Sequence, residues 1–250
     1  MNICALQTSP KWNAIQQNLD EAEALLLACD KADLYVLPEM FSTGFITEPE
    51  GFAEAEQGPS LEWMLRMARL TDAAITGSVA THTNEGDYRN RMYFVKPDGS
   101  YTYYDKRHLF TYGNEHLHYT AGEKPVIVQW KGVNIMLQVC YDLRFPCFSR
   151  NKPQIYDLLI YVASWPESRR MVWDTLLRAR AIENQSYVVG VNRVGDDPAC
   201  HYNGGTTIIS PYGKLLAEAT DDTVSAIYAT IDLERLQAFR HKFPVLMDAD

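Results

Sequence analysis

Two short apolar runs of strand length, Asn2-Ile-Cys-Ala-Leu-Gln7 and Asp33-Leu-Tyr-Val-Leu37, stand near the start of the chain. Between them lie apolar residues that recur mostly at spacings of three and four: Ile15, Leu19, Ala22, Leu25, Leu26 and Cys29. That spacing marks one face of an amphipathic helix. Strand, helix and strand in this order open an α/β unit, so the sequence predicts an α/β protein.

The rest of the chain continues the mixture of helices and strands. Apolar periodicity predicts a helix over 60–70 and another over 169–184. Strand-like runs occupy 73–80, 91–96, 101–105, 126–130, 133–139, 158–163, 186–191, 205–210 and 224–231. The turn Pro211-Tyr-Gly213 is expected to separate the last two strands, and Asp232 to cap a short final helix. Because strands are joined by helices and by hairpins, we predict one domain over 1–250, with two packed sheets and helices outside.

The overall composition excludes several classes of function. The net charge is −9 and the 23 Lys and Arg residues form no basic run, so a nucleic-acid partner is not expected. No apolar run approaches the roughly 20 residues that span a bilayer, and the N-terminus does not resemble a signal peptide. The five cysteines are odd in number and contain no C-x-x-C pair, which favours reduced thiols in a cytoplasmic protein.

Three reactive side chains end strand-like runs. Glu39 ends Leu34-Tyr-Val-Leu-Pro-Glu, Lys106 ends Tyr101-Thr-Tyr-Tyr-Asp-Lys, and Cys140 ends Val133-Asn-Ile-Met-Leu-Gln-Val-Cys. Loops at strand ends place functional groups at the rim of a rigid sheet. A carboxylate, an ammonium and a thiol in this repeated context are a plausible base, oxyanion donor and nucleophile.

The chemistry explains why these residue types belong together. A thiol with a pKa of about 8.5 is only a few per cent thiolate at neutral pH, so it needs a base such as Glu39 to take its proton. Attack on an amide creates an oxyanion, for which Lys106 and the backbone N–H of Tyr141 are the candidate donors. Taken singly, each residue has an ordinary explanation: a buried apolar thiol, a turn-capping glutamate and a solvated lysine. The combination favours catalysis.

Three segments in order carry a family resemblance: Leu37-Pro-Glu-Met-Phe41, Tyr104-Asp-Lys-Arg-His-Leu-Phe110 and Cys140-Tyr-Asp-Leu-Arg-Phe-Pro146. They resemble the three signature blocks of the nitrilase superfamily, the carbon–nitrogen hydrolases. The resemblance implies a four-layer α-β-β-α sandwich that needs no cofactor or metal. It also implies that Glu39 is the general base, Lys106 the oxyanion stabiliser and Cys140 the nucleophile.

Further residues extend the resemblance. Glu115 matches the family's second glutamate, which positions the lysine, and the helix over 169–184 matches the helix through which the family forms homodimers. Arg144-Phe-Pro-Cys-Phe-Ser-Arg-Asn151 and the tail from Lys242 to Asp250 are similar to the bacterial omega-amidase branch. That branch hydrolyses the terminal amide of small 2-oxo acids such as 2-oxoglutaramate.

Two positions depart from the family pattern. Cys147 stands where many relatives have Glu after Arg-Phe-Pro, and Tyr202-Asn-Gly-Gly-Thr-Thr207 differs from the usual Tyr-x-Gly-Asp/His-Ser block. Both lie outside the predicted catalytic set. They therefore bear on substrate choice and local packing rather than on the reaction.

The substrate of such an enzyme would carry a free carboxylate, and an enclosed anion needs a charged hydrogen-bonding partner. Arg144 and Arg169 are the arginines nearest the predicted site in sequence, and Trp165 ends the strand that lies beside the nucleophile. We favour Arg169, because Arg144 is better explained as a structural residue tied to Asp142 or its Phe-Pro neighbours.

Alternative functions stay open at this point. They are another carbon–nitrogen hydrolase (an N-carbamoyl-amine hydrolase or a nitrilase), a catalytically silent binding protein on the same fold, and a redox sensor using Cys140 and Cys147. His116 and His118 lack the spacing of a metal site. Cys200 beside His201 ranks well below Cys140 as a nucleophile, because its surroundings predict a mobile loop.

Overall fold

The computed structural model describes residues 1–248; Ala249 and Asp250, the end of the tail motif, lie outside the described residues. The helices are α1 (Ile15–Ala28), α2 (Pro59–Thr71), α3 (Glu115–His118), α4 (Arg170–Glu183) and α5 (Leu233–Lys242). The first strands are β1 (Asn2–Gln7), β2 (Leu34–Val36), β3 (Glu54–Ala55), β4 (Ala74–His82), β5 (Tyr88–Val95), β6 (Tyr101–Asp105), β7 (Val126–Trp130) and β8 (Val133–Val139). They are followed by β9 (Leu158–Ala163), β10 (Tyr187–Asn192), β11 (Val194–Asp196), β12 (His201–Asn203), β13 (Thr207–Ile209), β14 (Leu215–Glu218) and β15 (Ser225–Thr230).

Most strands belong to two mixed sheets. The first sheet has the order β15-β1-β2-β4-β5-β6, with β3 paired to β4, and the second has the order β14-β13-β10-β9-β8-β7. Strands joined by helices run parallel, as β1 does with β2, whereas strands joined by short turns, such as β5 and β6, run antiparallel.

The two sheets pack face to face, and each also carries helices on its outer face. Ile3 and Ala5 of β1 contribute to the core between the sheets, whereas Cys4 and Leu6 pack among residues of α1 and α2. Successive side chains of a strand point to opposite faces of the sheet, so the side chains on both faces of β1 are buried. This explains why its sequence is almost continuously apolar rather than alternating.

Helix α4 covers the outer face of the second sheet through Trp173 and Leu177. The strand beneath it contains Gly190, where an added Cβ would lie 2.4 Å from Leu177 Cδ1. Helix α5 is fastened to the same sheet by an ion pair of 2.8 Å between Arg240 and the buried Asp157. The resulting layers are helix, sheet, sheet and helix, which confirms the predicted four-layer sandwich.

The predicted elements are present in the structure except near the C-terminus, and the short elements β3, α3, β11 and β12 were not predicted. The prediction that the turn at 211–213 joins the last two strands was wrong, because the chain continues from this turn into β14. That short edge strand, Leu215-Leu-Ala-Glu218, is mostly exposed and lacks the alternation that marks a half-buried strand. No helix among residues 1–248 is long and apolar enough to cross a membrane.

Candidate active site

The structure brings together the three reactive side chains that end separate strands. Glu39 follows β2, Lys106 follows β6 and Cys140 follows β8, which places the cluster where the facing ends of the two sheets meet. Lys106 Nζ lies 2.9 Å from Glu39 Oε1, and Glu39 Oε2 accepts a hydrogen bond of 2.8 Å from the backbone N–H of Ser164, whose carbonyl oxygen lies 4.0 Å from Cys140 Sγ. The carboxylate therefore contacts the ammonium directly and the thiol-bearing turn through Ser164.

Glu115, the first residue of α3, completes the charged cluster. Its carboxylate accepts hydrogen bonds from Lys106 Nζ at 3.1 Å and 2.9 Å and from the backbone N–H of Phe110 at 2.6 Å. The side chains of Lys106, Glu39 and Glu115 have no exposed surface. The lysine is thus held between two carboxylates, in the position that the resemblance implied for the second glutamate.

Burial and the neighbouring charges set the protonation of the cluster. Burial raises the pKa of Glu39, and the attraction of Lys106 only partly offsets it. Burial acts to lower the pKa of Lys106, but the charges of Glu115 and Glu39 outweigh it and hold that pKa well above its ordinary value. Burial and the charge of Glu39 raise the pKa of the Cys140 thiol, while Lys106 lowers it. The resting nucleophile is therefore a thiol that needs a base.

Three residues in or next to the cluster have left-handed backbone conformations. The φ angle is +45° at Met40, which follows Glu39, +63° at Asn114, which precedes Glu115, and +45° at Cys140 itself. Such conformations cost on the order of 1–2 kcal/mol for residues other than glycine, and they occur preferentially at functional sites. The turn at Cys140 begins a 3₁₀ segment, Cys140–Arg144, so the N–H of Tyr141 lies in a first turn without an intrahelical acceptor.

Asp142 fixes this turn against the segment that carries Lys106. Its buried carboxylate accepts hydrogen bonds from the Tyr104 hydroxyl at 2.7 Å, the His108 backbone N–H at 2.9 Å and the Val139 N–H at 3.0 Å. The His108 ring also contacts this carboxylate, with a distance of 2.8 Å between His108 Nδ1 and Asp142 Oδ1. Because Tyr104 and His108 flank Lys106 in sequence, one carboxylate aligns the thiol-bearing turn with the lysine.

Two buried asparagines belong to the site but were missed by the sequence analysis. Asn90 of β5 donates from Nδ2 to Glu39 Oε1 at 2.8 Å and to Glu115 Oε1 at 3.1 Å. Asn192 accepts from the Trp165 N–H at 2.7 Å and donates to the Trp165 carbonyl at 2.9 Å, which holds the strand end beside the nucleophile. The strand predicted over 91–96 begins at Tyr88 in the structure, so Asn90 lay outside the predicted strand and no sequence motif marked it.

A cavity of about 460 Å³ opens in front of the cluster. Its walls are largely aromatic: Trp12, Phe45, Phe110, Tyr112, Tyr141, Trp165 and Tyr202. Of the four cluster residues, Cys140 borders this space, whereas Glu39, Lys106 and Glu115 lie behind it. The volume matches a small-molecule site.

Arg144 and Arg169 both line the cavity, as does Trp165. The Arg144 guanidinium carbon lies 5.1 Å from the Trp165 ring centroid, and that of Arg169 lies 5.4 Å from the Phe110 ring centroid. Within residues 1–248, neither guanidinium has a carboxylate at salt-bridge distance. Of the two structural ties expected for Arg144, to Asp142 or to its Phe-Pro neighbours, the tie to Asp142 does not form, because the Asp142 carboxylate accepts from Tyr104, His108 and Val139.

The remaining candidate histidines and cysteines lie outside the charged cluster. His118 lies 3.1 Å from Glu50, and no group of three metal-ligating side chains occurs in the described part of the chain. Cys200 borders the same cavity as Cys140, but the His201 ring bonds Asp196 and Asp222. Cys147 is exposed and does not border the cavity.

Comparison with known proteins agrees with this geometry. Residues 2–241 match the family model described as carbon-nitrogen hydrolase. The chain is 45% identical to omega-amidase YafV of Yersinia enterocolitica, covering 100% of this chain and 97% of that protein. It is 33% identical to a 2-oxoglutaramate amidase of Bacillus subtilis, with 98% and 96% covered.

A solved structure is similarly close. XC1258 from Xanthomonas campestris, described as a CN-hydrolase superfamily protein with an arsenic adduct in the active site, is 42% identical to this chain. The two structures superpose with a TM-score of 0.95, covering 100% of this chain and 97% of the other.

The raised pKa of Glu39 predicts how the Cys140 thiol responds to pH. Below that pKa both groups hold their protons and the thiol is unreactive; above it, the carboxylate is free to accept the thiol proton. The rate at which iodoacetamide alkylates Cys140, followed by peptide mass spectrometry, should therefore rise through a midpoint above 4.5, the ordinary value for glutamic acid. In Glu39→Gln this step should vanish, leaving only the alkaline rise of the thiol itself. Identical profiles for the two proteins would contradict the assignment.

Proposed function

Because the chain belongs to the carbon–nitrogen hydrolase family, we propose that it is an omega-amidase that hydrolyses the terminal amide of a small 2-oxo acid such as 2-oxoglutaramate. The observation that carries this proposal is the buried Glu39–Lys106–Glu115 cluster directly behind Cys140, facing a cavity lined by Arg144 and Arg169, which have no carboxylate partner among residues 1–248. The cluster and Cys140 would hydrolyse the amide, and the arginines would bind the substrate carboxylate.

In the proposed mechanism Cys140 Sγ attacks the amide carbon while Glu39 takes the thiol proton. The carbonyl π electrons move to oxygen, and the resulting tetrahedral intermediate collapses with cleavage of the carbon–nitrogen bond. Glu39 returns its proton to the departing ammonia, leaving a thioester on Cys140. Water, deprotonated by Glu39, then attacks the thioester, releases the carboxylic acid and restores the thiol.

The oxyanion of both steps would be stabilised by Lys106 and the backbone N–H of Tyr141. An ammonium has three protons. Lys106 directs hydrogen bonds to Glu39 and to both oxygens of Glu115, an arrangement in which one proton can serve Glu39, one can be shared by Glu115 and one remains for a substrate oxygen. Glu115 holds the ammonium in place and balances its charge.

The cavity arginines support the choice of an acidic amide. Two guanidinium groups without a carboxylate partner in the described part of the chain, in an aromatic pocket of about 460 Å³, suit a short substrate with an anionic end. A nitrile or an N-carbamoyl amine would use the same nucleophile, so these substrates are the competing outcomes of the activity test. The intact charged cluster disfavours a silent binding protein, because an unused buried lysine between two carboxylates would be costly to keep.

We also propose a homodimer in the cytoplasm. On α4 the apolar residues Met171 and Ile182 are 73% and 51% exposed. Ile182 lies against the turn at Gly213, next to Tyr212, whose ring centroid is 3.9 Å from that of Phe239. An exposed apolar surface of this kind fits a second copy of the chain. All five cysteines are free thiols, which suits a reducing compartment.

The first test is ammonia release from a panel containing 2-oxoglutaramate, 2-oxosuccinamate, a simple nitrile and an N-carbamoyl amine. We expect the two 2-oxo amides to give the highest kcat/KM. Cys140→Ala should lose on the order of 10⁴-fold or more in kcat, because no other group supplies the nucleophile. Cys147→Ala and Cys200→Ala are the matched controls and should retain activity. Full activity in a folded Cys140→Ala protein, or a preference for the nitrile, would contradict the proposal.

A second test addresses the substrate carboxylate. Arg169→Lys replaces a planar, bidentate donor by a point charge, so KM for 2-oxoglutaramate should rise by roughly tenfold, the scale of one charge-assisted hydrogen bond. Hydrolysis of pentanamide, a neutral amide of similar length, should barely change. Arg69→Lys, an exposed site on α2, serves as the control. Equal losses on both amides would remove Arg169 from the carboxylate site.

The dimer is tested by light scattering after size-exclusion chromatography. We expect twice the 28.5 kDa chain mass for the wild type. Ile182→Glu should shift the protein toward the monomer, because it places a charge in the apolar surface. Leu27→Glu, on α1 at 52% exposure, is the matched control and should leave the mass unchanged. A monomeric wild type would refute the dimer.

A further inference from the structure

The buried cluster contains more negative than positive charge. Glu39 and Glu115 are two carboxylates, Lys106 is one ammonium, and none of the three side chains reaches solvent. Transfer of the thiol proton to Glu39 does not change this sum, since the charge only moves to sulfur. A surplus negative charge in a dry interior requires further hydrogen-bond donors.

Asn90 is the side chain that donates to both carboxylates besides Lys106. Its Nδ2 lies 2.8 Å from Glu39 Oε1 and 3.1 Å from Glu115 Oε1, so the two amide protons are divided between them. The residue is fully buried in β5, and its backbone carbonyl accepts the Lys106 N–H at 2.9 Å. The same strand position therefore contacts the backbone of Lys106 and both of its counter-ions.

The orientation of this amide is set by the carboxylates. Within residues 1–248, no protein group donates to Asn90 Oδ1, which is buried. The opposite orientation would place this oxygen 2.8–3.1 Å from two carboxylate oxygens, where acceptors repel each other. An acceptor left without a protein donor is unfavourable. It is tolerated here because the amide donates two hydrogen bonds to charged groups.

We propose that Asn90 is a positioning residue that holds Glu39 and Glu115 around Lys106 and keeps Glu39 ionised at the pH at which the enzyme works. A neutral amide suits this task better than the alternatives. A cation would lower the pKa of Glu39 and weaken it as a base, and a third carboxylate would add to the surplus charge. An apolar residue would leave the two carboxylates short of donors.

This inference rests on the proposed role of Glu39 as the base, and its test separates the two. In Asn90→Leu, a substitution that keeps the number and branching of the side-chain heavy atoms, loss of the donor should move the acid limb of kcat/KM upward by about one pH unit, the scale of a hydrogen bond to a charged group. The acid limb of Cys140 alkylation by iodoacetamide should move by the same amount. The second measurement requires no amide turnover.

Controls distinguish positioning from general damage to the core. Thr76→Val removes a buried hydrogen bond of 2.7 Å from Thr76 Oγ1 in β4 to the Tyr93 carbonyl in β5, the strand that also carries Asn90, and it should leave both acid limbs in place. Asn90→Ser retains one donor and should show a smaller upward shift than Asn90→Leu. If Asn90→Leu does not fold, Asn90→Ser carries the test on its own.

The outcomes separate clearly. Upward shifts in both profiles support the inference, even if the favoured substrate proves to be a different amide. A folded Asn90 variant whose acid limbs stay at the wild-type position would overturn the role of Asn90. If Glu39→Gln abolishes the limb in the same experiment, the role of Glu39 stands. A wild-type alkylation profile identical to that of Glu39→Gln would instead overturn the role of Glu39, and the inference with it.

Discussion

A lysine ammonium without access to solvent is the constraint on which the rest of the structure depends. Removing Lys106 from water costs several kcal/mol even after relaxation, and only its contacts of 2.9–3.1 Å with Glu39 and Glu115 offset that cost. Glu39 follows β2, Lys106 follows β6 and Glu115 begins α3. The fold must therefore bring these three segments together before the charges meet. Loss of Lys106 would leave two buried carboxylates without their counter-ion, and an uncompensated buried charge typically costs about 3–5 kcal/mol.

The sandwich supplies the rigidity that this arrangement needs. Each sheet packs against the other sheet on one face and against helices on the other face. The site lies at strand ends rather than on long loops. The backbone is left-handed at Cys140, at Met40 beside Glu39 and at Asn114 beside Glu115. Such conformations are strained for residues other than glycine, so the surrounding structure must hold them in place. Flexible loops would relax that strain. Hydrogen bonds such as those of Asp142 to Tyr104 and Val139 keep the turn at Cys140 in place.

Sequence alone predicted much of this, for identifiable reasons. Long apolar strands such as Val133–Val139 and the helix Arg170–Glu183 follow simple periodicity, and three ordered motifs indicated Glu39, Lys106 and Cys140. Contacts between distant segments were not predictable in this way. Asn90 was not singled out by the sequence, because only the tertiary fold brings it between two carboxylates. Of the two ties considered for Arg144, the one to Asp142 does not form, since two residues close together in a motif need not be in contact.

Reaction and specificity are encoded in different parts of the chain. The charged cluster lies behind Cys140 and does not line the cavity, so in the proposed mechanism it acts on the reacting amide and not on the rest of the substrate. The walls that a substrate would touch come from loops far apart in sequence, such as those of Trp12, Phe45, Arg169 and Cys200. Substitutions in these loops alter shape and charge without disturbing the ion cluster. One catalytic apparatus can therefore serve different amides, and the identity of the substrate has to be sought in the cavity rather than in the motifs.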